Sequence, residues 1–288
     1  MRVIPALPVV FAYRDQGPVL KAITNWCPRR VYCTQREDHS DAPGTEYVVK
    51  FRQGSRGAAA LISEVVCGCL FEAAGTRVPE AALVRVSGGL ARSYASSGLH
   101  YCVEPGLHFG TKFISDAQPG HLPSLTSLEQ LSDPQQLVDL WVLDSWVMTI
   151  DRTNYGNVLL RPDGRGRWHL VAADQSDCFC GSGCLCDNTV GYTQSGSREL
   201  YRFLEAAVIA AGGKRAVRKS IDRVRVAAQY LESAIARVPV AWWNEAGVDP
   251  RSVGVGLETR AHRIEEIVKI SRWEGIGDAG SGGTVLDL

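Results

Sequence analysis

Ile150-Asp151-Arg152-Thr153-Asn154-Tyr155-Gly156-Asn157-Val158-Leu159-Leu160, followed by Ala172-Ala173-Asp174, decides how this chain is read. An acid ends an apolar helical pattern, a carboxamide follows a short loop later, and a pair of apolar strands leads to a second acid. Phosphoryl transfer from a nucleotide requires those three groups side by side. One carboxylate orients the acceptor hydroxyl, while the amide oxygen and the other carboxylate hold Mg²⁺ against the phosphates. Each residue also has a plainer reading: Asp151 as the start of an Asx turn, Asp174 as a strand-end turn residue. The weight lies in the ordered set.

The rest of the chain is compatible with such chemistry. Its 288 residues and 45% hydrophobic content are enough for one large core or two lobes. Lys+Arg and Asp+Glu are both 31, so the chain lacks the cationic excess of a nucleic-acid binder. No run reaches the ~20 apolar residues of a membrane span. Residues 1–8 carry one positive charge but are broken by Pro5 and Pro8, unlike a signal peptide. The expectation is a cytoplasmic protein without membrane or nucleic-acid partners.

Ahead of the deciding stretch, β-rich runs fall at residues 19–24, 30–36 and 46–51, and a helical pattern covers 57–74 with Gly75 as its stop. Further strands are expected at 82–87 and 99–103. Glu104-Pro105-Gly106 reads as a hinge. Beyond it, Asp133-Pro134 starts a helix running to Asp151. A hairpin spans 157–172 around Pro162-Asp163-Gly164, and helices follow at 198–211, 216–238 and 257–273. This is an α+β chain: a β-rich lobe over 1–104, a helical lobe over 105–274, and a Gly-rich tail over 275–288.

Lys50 ends the third of the early strands, and Glu64 sits fourteen residues later on the helix. That order suits a strand lysine contacting phosphates and a helix glutamate steadying it. Arg52 and Glu104 complete the candidate nucleotide-contacting set. Asp151 is the candidate catalytic carboxylate, Asn157 and Asp174 are the candidate metal ligands, and Asn154 competes with Asn157. Arg152 reads as a structural ion-pair partner.

Together these segments resemble the HipA-like kinases, a branch of the protein-kinase and phosphoinositide-kinase-like fold. The resemblance rests on Tyr47-Val48-Val49-Lys50-Phe51, the Glu64 helix with Gly75 and Val78-Pro79, Gly106-Leu107-His108-Phe109-Gly110, the Asp151–Asn157 loop, Asp174-Gln175-Ser176 with Phe179, and Pro239-Val240-Ala241-Trp242. It implies a two-lobe kinase-like fold and ATP- and Mg²⁺-dependent transfer of a phosphate to a Ser/Thr hydroxyl of a protein, sometimes the kinase itself. It also puts residues 103–110 near the adenine. Two features depart from the pattern. Gly156 stands where the metal amide is usual, with Asn157 one place later. No glycine run joins the first strands, which assigns phosphate cover to Arg29, Arg30 or backbone groups. A small-molecule hydroxyl kinase and a non-catalytic nucleotide-binding pseudokinase are the alternatives.

Nine cysteines leave an odd thiol. Cys178, Cys180, Cys184 and Cys186 lie just past Asp174. Zinc ligation, a redox disulfide and plain reduced thiols all fit their spacing. The basic run from Lys214 to Lys219 reads as a solvated helix start.

Overall fold

The computed structural model describes residues 4–18, 28–35, 37, 44–54, 56–96, 99, 101–120, 128–149, 151–152, 154, 156–179, 198–269 and 271. The N-terminal part is a closed five-stranded barrel. β1 (Val9–Pro18), β2 (Arg29–Thr34), β3 (Thr45–Lys50), β4 (Ala81–Val86) and β5 (Gly106–Lys112) follow the order β1-β2-β3-β5-β4. Period-2 alternation sends Tyr47 and Val49 inward and leaves Val48 and Lys50 on the opposite face. Val31, Val84 and Val86 fill the same interior. Gly110 is required there, since a Cβ would come within 2.5 Å of Val84 Cγ2.

Two of these strands differ from the sequence reading. β1 escaped notice because register shifts at Ala12/Arg14 and Asp15/Gly17 interrupt its alternation. Residues 101–103 are not a strand; the chain passes Glu104 and then re-enters the barrel as β5, paired to β3 and β4. The expected strand at 19–24 and the tail at 275–288 lie outside the described residues.

Helix α1 (Gly57–Ala73) bridges the two parts of the chain. It is buried around nearly its whole circumference, from Leu61 and Ile62 to Leu70 and Phe71. Those residues belong to one hydrophobic cluster with Trp146, Trp242 and Leu257 from the C-terminal helices. α1 therefore carries Glu64 on a helix held from both sides. It stops at Gly75, whose φ of 80° only glycine adopts without strain.

In the C-terminal part, α3 (Gln135–Val147) starts where expected, with Asp133 Oδ1 accepting from Gln135 N at 2.9 Å. β7 (Val158–Pro162) and β8 (Trp168–Ala172) form the expected hairpin, and a short strand, β6 (Gln118–Gly120), adds to β7. α2 (Gly88–Ser93) caps the barrel side, and α4 (Arg198–Ala210) follows later. The helix expected over 216–238 is two: α5 (Lys214–Ala228) and α6 (Leu231–Ala236), parted by a turn at Gln229-Tyr230. α7 (Val240–Ala246), α8 (Pro250–His262) and α9 (Ile264–Ile267) complete the bundle. α8 begins earlier than expected because Asp249 accepts from Arg251 N and Ser252 N, with Pro250 in the first turn. No helix among the described residues is long and apolar enough to cross a membrane.

One buried guanidinium ties the deciding stretch to this scaffold. Arg152, 3% exposed, donates to both oxygens of Asp144 on α3, to Asn157 O at 2.7 Å, to Ala173 O at 2.5 Å and to Gln175 Oε1 at 2.5 Å. It thus joins the end of α3, the loop after Asp151 and the segment after β8. Burial alone would favour its neutral form, but the Asp144 charge outweighs that and keeps it protonated. Arg152→Met strands the Asp144 carboxylate in the core, and urea unfolding is expected to show a loss of about 3–5 kcal/mol. Adding Asp144→Leu removes the orphaned charge and recovers much of it. An Arg152→Met protein within about 0.5 kcal/mol of wild type contradicts the clamp.

Candidate active site

Lys50 closes β3 with its side chain on the outer face of the barrel, toward α1. Its Nζ lies 2.5 Å from Glu64 Oε1 and also donates to Asp174 Oδ1, and Ser176 Oγ is 3.4 Å away. Burial would lower the Lys50 pKa, yet the Asp174 and Glu64 charges outweigh it and hold the ammonium well above its ordinary range. Glu64 is pushed up, first by burial, with Lys50 pulling the other way. For Asp174, burial would raise the pKa, but Lys50 and the Ser176 hydroxyl and amide hold the carboxylate well below its usual value. Asp174 also has a φ of 53°, a left-handed backbone rare for a non-glycine residue and concentrated at functional sites.

Asp151 and Asn157 face the same place from the loop after α3. Asn157 Nδ2 donates to Asp151 Oδ2 at 2.8 Å and to Asp151 O at 3.0 Å, which leaves its Oδ1 as the free acceptor. Two successive turns absorb the extra residue in this loop: Asn154 N bonds to Asp151 O at 2.9 Å, and Asn157 N to Asn154 O at 3.2 Å. Gly156, at φ 92°, supplies the left-handed step. Asn154 is exposed and serves the turn, whereas Asn157 is buried and lines the cleft. Asp151 is pushed above the ordinary aspartate range, first by burial and then by Asp174. Its Oδ1 is buried without a hydrogen-bond partner among the described residues.

Lys50, Glu64, Asn157 and Asp174 form the polar end of a cleft of about 310 Å³, and Asp151 stands behind it, hydrogen-bonded to Asn157. Its other end is apolar, walled by Val48, Phe109, Phe113, Ile114 and Leu159. A flat aromatic ring fits such a wall while anionic groups face Lys50. A smaller cavity of about 220 Å³ lies beyond Lys50, toward Gly54, Gly57 and Ser176.

The structure brings Lys50, Glu64, Asp151, Asn157 and Asp174 together. It does not bring Arg52 and Glu104 to the cleft. They pair with each other at 3.1 Å, and Arg52 reaches Glu245 on α7 at 3.0 Å. Phe51 turns into the barrel, and Arg52 lies in the turn after β3, where Glu104 and Glu245 hold it. Arg29 is likewise engaged, with Asp15, whereas Arg30 lines the cleft while pairing with Glu46 at 2.6 Å and stacking on Phe113. The segment beside the apolar wall runs through Phe109 to Ile114, later than residues 103–110. His108 instead points inside, accepting Arg52 N on Nδ1, and burial pushes its pKa down to about 4.

The sequence reading assigned no role to Ser176 or to Phe113-Ile114. The Asp-x-Ser turn at 174–176, in which Ser176 N bonds to Asp174 Oδ1 at 3.2 Å, was the available signal for the first. Cys178 is buried, 3.3 Å from Thr149 Oγ1 and beside Cys67. Cys180, Cys184 and Cys186 lie outside the described residues.

Among the described residues no cluster of three or more His, Cys, Asp or Glu could hold a metal alone. Mg²⁺ does not need one: it is commonly held by one or two protein groups, with phosphates and water completing the shell. The Asp174 carboxylate and Asn157 Oδ1 fit that requirement.

Residues 30–164 match the family described as HipA-like kinase. No curated protein matches the chain. Among solved structures it is similar to the Helicobacter pylori proinflammatory kinase CtkA, at 13% identity over 85% of this chain and 92% of that one, with a TM-score of 0.47. That likeness is too slight to support any inference about activity. The matched segment, just under half of the chain, runs from β2 into the β7–β8 turn and contains Lys50, Glu64, Asp151 and Asn157.

Proposed function

We propose that the chain is a two-lobe kinase that moves the γ-phosphate of ATP to a Ser/Thr hydroxyl of a protein, its own chain included. The observation that carries this reading is that Asn157 and Asp174 line one cleft with the Lys50 ammonium, while Asp151 is hydrogen-bonded to Asn157 and feels the Asp174 and Lys50 charges. The barrel and the helical part are the two lobes, and the nucleotide lies between them.

Mg²⁺ and ATP, when bound, supply the charge neutralisation and the transferable phosphoryl group. Asn157 Oδ1 and the Asp174 carboxylate are the residues that would hold the metal. Lys50, steadied by Glu64, offers its ammonium to phosphate oxygens. Ser176 donates to Asp174 Oδ1 at 2.5 Å and keeps that carboxylate oriented. The apolar wall from Phe109 to Leu159 takes the base and excludes water from it.

Asp151 acts on the acceptor. Its unpartnered Oδ1 would accept the hydroxyl proton as the O–H bond breaks and the acceptor oxygen bonds the γ-phosphorus, while the bond from that phosphorus to the bridging oxygen breaks and ADP leaves; Asn157 holds the other Asp151 oxygen in place. The elevated pKa brings this base nearer to working pH, which favours proton transfer.

Incubation of the full chain with γ-labelled ATP and Mg²⁺ is expected to place label on protein, with Asp151→Ala about 10²–10⁴-fold slower. Label found only on small hydroxyl compounds, or nucleotide bound without transfer, overturns the proposal. The pH–rate profile gives a separate check. A base with a raised pKa is lost to protonation earlier as pH falls, so the acid limb is expected above the ~3.9 of free aspartate. A limb at or below that value contradicts Asp151 as the base.

A further inference from the structure

A second cavity of about 560 Å³ lies between the N-terminus of α3, the β7–β8 hairpin and the segment after α1. It shares no lining residue with the cleft at Lys50. Its volume falls in the range of small-ligand sites. Four arginines face it, Arg77, Arg165, Arg167 and Arg223, against three acids, Asp133, Asp139 and Asp163.

The charges divide unevenly. Asp139 is buried and held by Arg223, Gln135 and Ser220. Asp163 pairs with Arg167 at 3.3 Å and accepts the backbone N–H groups of Arg165 and Arg167. Asp133 takes Gln135 N and sits at the positive end of α3. Arg77 and Arg165 are left with no carboxylate partner among the described residues.

Both are nonetheless presented by ordered backbone. Gly164 and Gly166, at φ 76° and 81°, turn the hairpin sharply on either side of Arg165, and Asp163 bonds across its base. Arg77 O accepts Ala172 N at 2.8 Å, and Arg77 Nη1 rests on Gln136 Oε1 at 3.3 Å. Gln136 is itself fixed by Leu170 N and by Ser132 Oγ. His169 lines the same cavity, its Nδ1 2.5 Å from Ser132 Oγ.

We infer that this cavity is a second anion site, taking a phosphate-bearing ligand on the Arg77 and Arg165 guanidiniums. Two unmatched guanidiniums balance a phosphate dianion, where a single carboxylate would satisfy only one. Guanidinium forks also suit the paired oxygens of a phosphate. The site stands independently of the phosphotransfer reading, because it uses none of the residues around Lys50.

Calorimetric titration of the full chain with inorganic phosphate, at constant ionic strength, tests it. The expected result is saturable binding that Arg77→Gln/Arg165→Gln weakens at least about tenfold, the effect of losing charge-assisted hydrogen bonds. Lys50→Ala is expected to leave it unchanged. Both arginines are exposed, so the double variant should fold, and its unfolding midpoint checks this. A phosphoserine peptide binding tighter than inorganic phosphate identifies a modified side chain as the source, and equal affinity identifies a free phosphate compound; either supports the site. No saturable binding, equal affinity in the double variant, or loss in Lys50→Ala overturns it.

Discussion

Arg152 is the constraint on which the rest depends. A guanidinium at 3% exposure can be kept in the core only with its charge matched and its hydrogens used. It meets that condition by binding Asp144 on α3, Asn157 O in the loop, and Ala173 O with Gln175 after β8. Arg152 itself follows Asp151, one of its partners is Asn157, and Ala173 and Gln175 flank Asp174. The residue beside the candidate base therefore sets the spacing of the site without entering it. α1 supplies the other half of the frame, since its packing against barrel-side and C-terminal residues holds Glu64 over Lys50.

Inside that frame the charges do not cancel. Glu64, Asp174 and Asp151 share one ammonium, from Lys50, while Arg152 is spent on Asp144. Burial raises the Glu64 and Asp151 pKa values, and only Asp174, closest in charge balance to Lys50, falls. Such divergence among neighbouring carboxylates is typical of sites that separate metal binding from proton transfer. A divalent cation at Asp174 would offset the acidic excess and leave Asp151 free to act as base.

Much of this was legible in the sequence where periodicity was strong. Tyr47 and Val49 alternate with Val48 and Lys50, so the strand and the side on which Lys50 emerges could both be read. Gly75 and Asp133-Pro134 marked their helix boundaries through backbone chemistry alone. What escaped depended on tertiary pairing. β1 carries two register shifts, and β5 follows a Pro-Gly pair that imitates a hinge. Arg52 looked like a nucleotide contact from its place beside Lys50, but Glu104 and Glu245, distant in sequence, claim it. The Asp151–Asn157 spacing looked irregular until the consecutive turns and Gly156 took up the added residue.

A crystal structure of the chain with Mn²⁺ and a non-hydrolysable ATP analogue tests the central claim most directly, because anomalous scattering locates the metal without assumption. The account predicts one Mn²⁺ bound by Asn157 Oδ1 and the Asp174 carboxylate, with phosphate oxygens on Lys50 and the base against Phe109 and Leu159. Metal found away from Asp174, or nucleotide outside the cleft that Lys50 lines, would contradict it.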